Sequence, residues 1–176
     1  MTWGRAGAYL GVFVVLTAYY VATEPSSQAG KPQLPARRSF LEIAPDDVQA
    51  VVIESNGLTV RCVRDGTRWR AEQPAQATVP SDLVSALVDQ LTQVPDVEVV
   101  DEQGERAAQF GLAPPQGTVQ LILKGGRTIA VALGARNPAQ TAVYGRVEGA
   151  PRVVLLGLNV RYYEELIVQA ARSTSG

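Results

Sequence analysis

The chain of 176 residues has no histidine and a single cysteine, Cys62. Histidine is the commonest general base near neutral pH and a leading nitrogen ligand for metals. Without it, one thiol supports neither a Ser-His-Asp or Cys-His nucleophile nor a structural zinc set. A lone cysteine also excludes an intramolecular disulfide framework. Neither G-x-x-x-x-G-K-[ST] nor G-x-G-x-x-G occurs, so both common glycine-rich phosphate cradles are missing. An excess of one charge is missing too. Sixteen basic residues face 17 acidic ones, and setting Arg5 aside leaves a net charge of −2. That is no nucleic-acid footprint. No cofactor, metal or nucleic acid is expected.

What is present begins with "GAYLGVFVVLTAYYVATEP", residues 7 to 25. Residues 6–23 carry no charge, and 18 helical residues at about 1.5 Å each span roughly 27 Å, close to a hydrocarbon core. Trp3 precedes the run and Tyr19 and Tyr20 close it, as interfacial rings do. Residues 1–23 are therefore expected to form a transmembrane anchor. A cleaved signal peptide is the rival reading, because Ser27-Gln28-Ala29 offers small residues at cleavage spacing. The length of the run and the sparse basic leader favour retention. Lys31, Arg37 and Arg38 run against the positive-inside rule, whereas a five-residue leader before a long domain favours an N-in, C-out anchor. Gly7, Gly11, Ala18 and Ala22 fall within about 60° on a helical wheel and form a candidate packing ridge. A lipid-facing helix that merely contains small residues is the plainer alternative. Residues 24–39 read as a flexible linker, 40–172 as one domain with a real core, and 173–176 as a disordered tail.

The domain punctuates itself with turns. Asn56-Gly57 and Asp65-Gly66 separate "VQAVVIES", "LTVRCVR" and "RWRAE", which predicts a three-stranded meander. Two-residue loops at those dipeptides would set Ile53 against Val60 and Val51 against Cys62. They would also set Cys62 against Trp69 and Val60 against Ala71, so one face is apolar throughout. Leu83, Leu87, Leu91 and Val94 predict a helix with Pro80 in its first turn and Pro95 as its stop. "DVEVV" predicts a short strand and "ERAAQF" a short helix. A second meander follows in "TVQLILK", "RTIAVAL", "TAVYGRV" and "RVVLLG", and a closing helix is expected after Asn159 as N-cap. The expected class is α+β, with two mainly antiparallel β-meanders, an intervening helix and a C-terminal helix.

Asp46-Asp47, Asp101-Glu102 and Glu164-Glu165 are carboxylate pairs, and two acids suffice for a glycosidase. Adjacent acids on loops or strands point apart, however, and acids in a first helical turn offset the dipole. A structural role is expected for them. The same register sets Arg61 opposite Arg70 with Arg68 diagonal to Arg61, a candidate patch for an anionic partner. A solvated face screened by Glu72 and Glu54 is the favoured explanation of it. Cys62, on the inner face, is expected to be an inert core thiol.

"FLEIAPDDVQAVVIES", "RWRAEQP", "FGLAPPQGTVQLIL" and "VALGARNPAQTAVYGRVEGAPRVVLL" together resemble successive blocks of the bacterial domain of unknown function 4340, over about residues 40 to 168. Ala113 stands where that family usually has Asp in a Gly-Leu-Asp-Pro block, which points to a turn element there and away from catalysis. The resemblance implies a membrane-tethered domain on the bacterial inner membrane, facing the periplasm or outside. It further implies a place beside ABC-type export or gliding-motility transporter components, with permease subunits as partners. It carries over no catalytic residues. The expectation is thus a non-enzymatic accessory or binding subunit. A free-standing envelope hydrolase using carboxylates and a self-assembling structural protein are the alternatives.

Overall fold

The computed structural model describes residue 13 and residues 40–94 and 97–173. The chain divides into two compact units, Met1–Arg37 and Arg38–Gly176. In the first unit only Phe13 is described; it is helical and exposed. The expected anchor, its ridge of Gly7, Gly11, Ala18 and Ala22, and the linker therefore lie outside the described residues. Among those residues, no helix is long and apolar enough to cross a membrane.

The second unit is α+β, with a single sheet in place of two separate meanders. Strands β1 (Val48–Ser55), β2 (Leu58–Asp65) and β3 (Arg68–Gln73) precede helix α1 (Ser81–Thr92). Then come β4 (Glu98–Asp101), β5 (Gly117–Leu123), β6 (Thr128–Arg136), β7 (Ala142–Val147), β8 (Val153–Gly157) and helix α2 (Leu158–Ser173). The order across the sheet is β3-β2-β1-β5-β6-β7-β8-β4, with every pair antiparallel. Pairing of β1 with β5 merges the two meanders, setting Val51 beside Leu121 and Ile53 beside Val119.

The reason for one sheet is the alternation of its residues. Val51, Ile53, Val119, Leu121, Val131, Leu133, Val154 and Leu156 all point to one face, where each is at least 95% buried. Helices α1 and α2 pack on that face and against each other, and both contribute to the same core. Full burial of each such side chain stabilises the fold by about 1.5–3 kcal/mol, so splitting the sheet would expose two rows at once.

The local expectations fare differently. The first hairpin has the expected register, with Ile53 opposite Val60 and Val51 opposite Cys62. Asn56 and Gly57 take φ of 50° and 75°, as a type I′ turn requires. The second hairpin departs. Its loop is Gly66-Thr67, closed by Asp65 opposite Arg68, because Gly66 supplies the positive φ (62°) at the first loop position. The register moves by two, which preserves the faces: Cys62 meets Ala71 and Trp69 meets Arg64. The Arg64 guanidinium lies 4.7 Å from the Trp69 ring centroid and donates to the Val48 and Pro45 carbonyls.

Helix α1 buries Val84, Leu87, Val88, Leu91 and Thr92, with Leu83 half-buried. Pro80 occupies its cap position, ahead of the first turn, and Val94 lies beyond its end; Pro95 is outside the described residues. The Ser81 hydroxyl accepts the edge-strand Trp69 N–H at 2.8 Å, which fastens α1 to β3. "ERAAQF" is a run of turns, not a helix. Gly104 and Gly111, at φ of 70° and 68°, bracket too few residues to offset the cost of helix nucleation. Helix α2 starts at Leu158, straight out of β8, so Asn159 sits inside its first turn and is not the cap. Burial of Val160 and Arg161 sets that start, and the helix runs on to Ser173.

Cys62 is 2% exposed and unpaired, and burial pushes its thiol up to about 11 from 9.0. That shift lowers the thiolate fraction at pH 8 about a hundredfold, before steric exclusion is counted. A bulky maleimide should therefore label the native chain over hours and the urea-unfolded chain within minutes. Equally fast labelling in both states would place the thiol outside the core.

Candidate functional site

The faces of the sheet differ. Antiparallel sheets commonly keep one face solvated and polar. Here the outer face is mixed. Reading across the strands, one row runs Thr59, Glu54, Thr118, Ala132, Arg146, and the next Arg61, Val52, Gln120, Ala130, Glu148. A third runs Arg70, Val63, Ala50, Ile122.

Small side chains on β5 and β6 sink the floor of a trough of about 320 Å³ between Glu54 and the Arg146/Glu148 pair. Glu54 and Arg146 stand three strand spacings apart, about 14 Å between backbones. Neither they nor Glu148 form an ion pair or hydrogen bond through their side chains among the described residues.

Residues 104–116 wall one end of the trough and cover the outer face beyond it. Ala107, Leu112 and Val153 form a second small core, with Phe110 stacked on Tyr144 at 4.4 Å. Two anchors hold this segment. The Asp101 carboxylate accepts the amide hydrogens of Arg106 (2.9 Å), Gly104 (3.0 Å) and Gln103 (3.2 Å). The Arg106 amide bond, then those of Gln103 and Gly104 and the Arg106 guanidinium, hold its carboxyl below the usual carboxylate range. Gly111, Leu112, Ala113 and Pro114 form the turn expected there, closed by a bridge between Leu112 and Pro115. Gly134 lets the segment lie flat on β6, since a Cβ there would strike the Phe110 carbonyl.

The second anchor is β6 itself, whose Ala135 amide donates to the Phe110 carbonyl at 2.8 Å. A buried ion pair on α2 reaches the same strand from the other side of the sheet. Arg161 donates to Glu164 Oε2 at 2.8 Å and to the Gly134 carbonyl at 2.6 Å, with side chains 7% and 0% exposed. Glu164 Oε1 has no hydrogen-bond partner among the described residues, and a Cβ on Gly117 would sit 3.1 Å from it. Glu164 lies in the second turn of α2, so it does not serve as a first-turn acid.

The remaining predicted residues are placed as follows. Arg61 does not face Arg70. A bulge sets it opposite Gln73, and its Nε donates to Glu72 at 2.6 Å. Arg70 lies opposite Val63 and Arg68 opposite Asp65; both are exposed and without ion pairs among the described residues. The carboxylate pairs separate: Asp46 approaches Arg64 and Asp47 approaches Lys124, while Glu165 reaches Arg136 from the exposed side of α2. Among the described residues no three His, Cys, Asp or Glu side chains group as a metal site. The trough escaped sequence reading because it needs the β1–β5 seam. Its one local signal is Ala130 and Ala132, small residues alternating with buried Val131 and Leu133.

Removing Arg161 alone strands a buried carboxylate. Arg161→Met should cost about 3–5 kcal/mol, and Arg161→Met/Glu164→Leu should recover most of it. Urea melts of the full chain decide this; equal losses in both variants would show that the pair is not coupled.

Residues 69–167 match the family described as domain of unknown function DUF4340, within the stretch on which the resemblance was based. The match begins at β3, leaving β1 and β2 outside it. No curated protein and no solved structure matches the chain. With a match over more than half its length, the chain belongs to the DUF4340 family.

Proposed function

We propose that this is a non-enzymatic, membrane-tethered envelope domain that acts as an accessory or binding subunit of an ABC-type export or motility assembly, and that the outer face of its sheet is where it binds. One observation carries the reading. The half of that face formed by β2, β1, β5 and β6 has no described helix or strand packed on it, yet Val63, Ile122 and Ala130 stand half-buried there around the buried Ala50 and Val52, while Ala132 packs against the second small core. A face built only for solvent would alternate to polar residues there. Charges frame the apolar strip, with Arg68, Arg70 and the Arg61–Glu72 pair toward the β3 edge and Glu54, Glu148 and Arg146 within and beyond it. Such an arrangement favours one docking orientation over its reverse. Gly7, Gly11, Ala18 and Ala22 would supply a second contact, by letting partner helices approach the anchor's backbone closely.

Photo-crosslinking in cells tests both parts. A benzophenone side chain at Ile122 should capture an integral membrane protein, whereas one at Tyr162, exposed on α2, should not. Ile122→Arg with Ala130→Arg should abolish recovery of the captured partner and leave the thermal melt unchanged. Gly7→Leu with Gly11→Leu should lower that recovery about tenfold, for a loss of about 1–2 kcal/mol of helix association. Capture only of this chain itself, or only from position 162, would contradict the proposal.

A further inference from the structure

Helices α1 and α2 leave one end of the sheet's inner face uncovered. It is the end at which residues 40–43 enter the fold, where the Phe40 amide donates to the Val94 carbonyl at 3.0 Å. There Ile129 of β6, Val147 of β7 and Val154 of β8 floor a groove of about 620 Å³, with Phe40 on one side. This volume lies within the roughly 300–1,000 Å³ of sites that enclose small molecules. The groove is separate from the outer-face trough and on the opposite side of the sheet.

The mouth of the groove is charged. Arg127, in the β5–β6 turn, and Arg152, just before β8, both line it and are exposed. Neither side chain has an ion pair or hydrogen bond among the described residues. Nearby cations are occupied, Lys124 by Asp47 and Arg64 by Asp46 and two carbonyls. Arg152 is level with Val147 and Val131 across the sheet, four residues along β6 from Arg127, so their backbones stand about 16 Å apart, within reach of two extended arginine side chains on one headgroup. Guanidinium forks hold carboxylate and phosphate oxygens with paired, charge-assisted hydrogen bonds. Glu42, the one acid in the lining, already has an interaction of its own. Two cations and one acid leave the mouth at +1, which matches a carboxylate better than a phosphate monoester at about −1.5 to −2.

We infer that this groove binds a single-chain fatty carboxylate, its acyl chain over Ile129, Val147 and Val154 and its head between Arg127 and Arg152. The inference does not depend on the outer-face reading, since it concerns the other side of the sheet.

Calorimetric titration of the full chain, with dodecanoate kept below its critical micelle concentration as the probe, tests it. One saturable site per chain is expected. Arg127→Gln with Arg152→Gln, both at exposed positions, should weaken binding at least about tenfold with an unchanged melt. Val147→Trp should block the groove. Dodecyltrimethylammonium, with the same chain and the opposite charge, should bind at least about tenfold more weakly than dodecanoate. Equal binding of the cation, or wild-type affinity in the double arginine variant, would show nonspecific partition and overturn the proposal. Tighter binding of dodecyl phosphate than of dodecanoate would overturn the carboxylate assignment.

Discussion

The antiparallel seam between β1 and β5 is the contact on which the rest of the domain depends. Each strand already has a hairpin partner on its other side, β2 for β1 and β6 for β5. The seam joins the meander β1–β3 to the meander β5–β8, and with β4 paired to β8 the result is one eight-stranded surface. Val51 beside Leu121 and Ile53 beside Val119 then sit at its centre, where α1 and α2 complete the core. The same seam creates the outer face, since Glu54 meets Thr118 and Val52 meets Gln120 only across it.

A buried charge pair fixes what the sheet alone leaves open. Apolar packing tells α2 which face to cover, and directional polar bonds add to what fixes its position along it. Arg161 answers to one carbonyl, that of Gly134, and Glu164 answers to Arg161. Gly134 is also where residues 110–112 lie against β6. A helix on one side of the sheet and a loop on the other are therefore keyed to one strand position. The specificity has a cost: among the described residues, Glu164 Oε1 is left without a hydrogen-bond partner in the interior. Gly117 helps to make room for it.

Much of this was legible in the sequence, and the exceptions have physical causes. Alternation in "TVQLILK" specifies the faces of β5, and the Asn56-Gly57 turn specifies the first register, whereas Ala50–Ile53 of β1 are apolar and buried on both faces. The Asp65-Gly66 hairpin was placed one residue early because Asp-Gly suits one loop type and Gly-Thr another. The two-residue change in pairing kept Trp69 inside but separated Arg61 from Arg70. "ERAAQF" has helical composition, yet Gly104 and Gly111, both at positive φ, bracket too short a stretch for a helix to nucleate. Asn159 is a good cap in isolation, but tertiary burial of Val160 began the helix earlier. Long-range pairing has no local signature, so the single sheet and the trough it creates could not be read ahead of the fold. Arg161 and Glu164 were hidden for a related reason: an i, i+3 ion pair looks like a solvated surface pair until the helix face is known.

Hydrogen exchange of the full chain, followed by mass spectrometry under native conditions, tests the seam most directly. One cooperative sheet predicts that amides in β1 and β5, at its centre, exchange together and most slowly. Those of the edge strands β3 and β4 should exchange first. Two separately opening meanders, with β1 and β5 exchanging at different rates and no slower than the edges, would contradict the account.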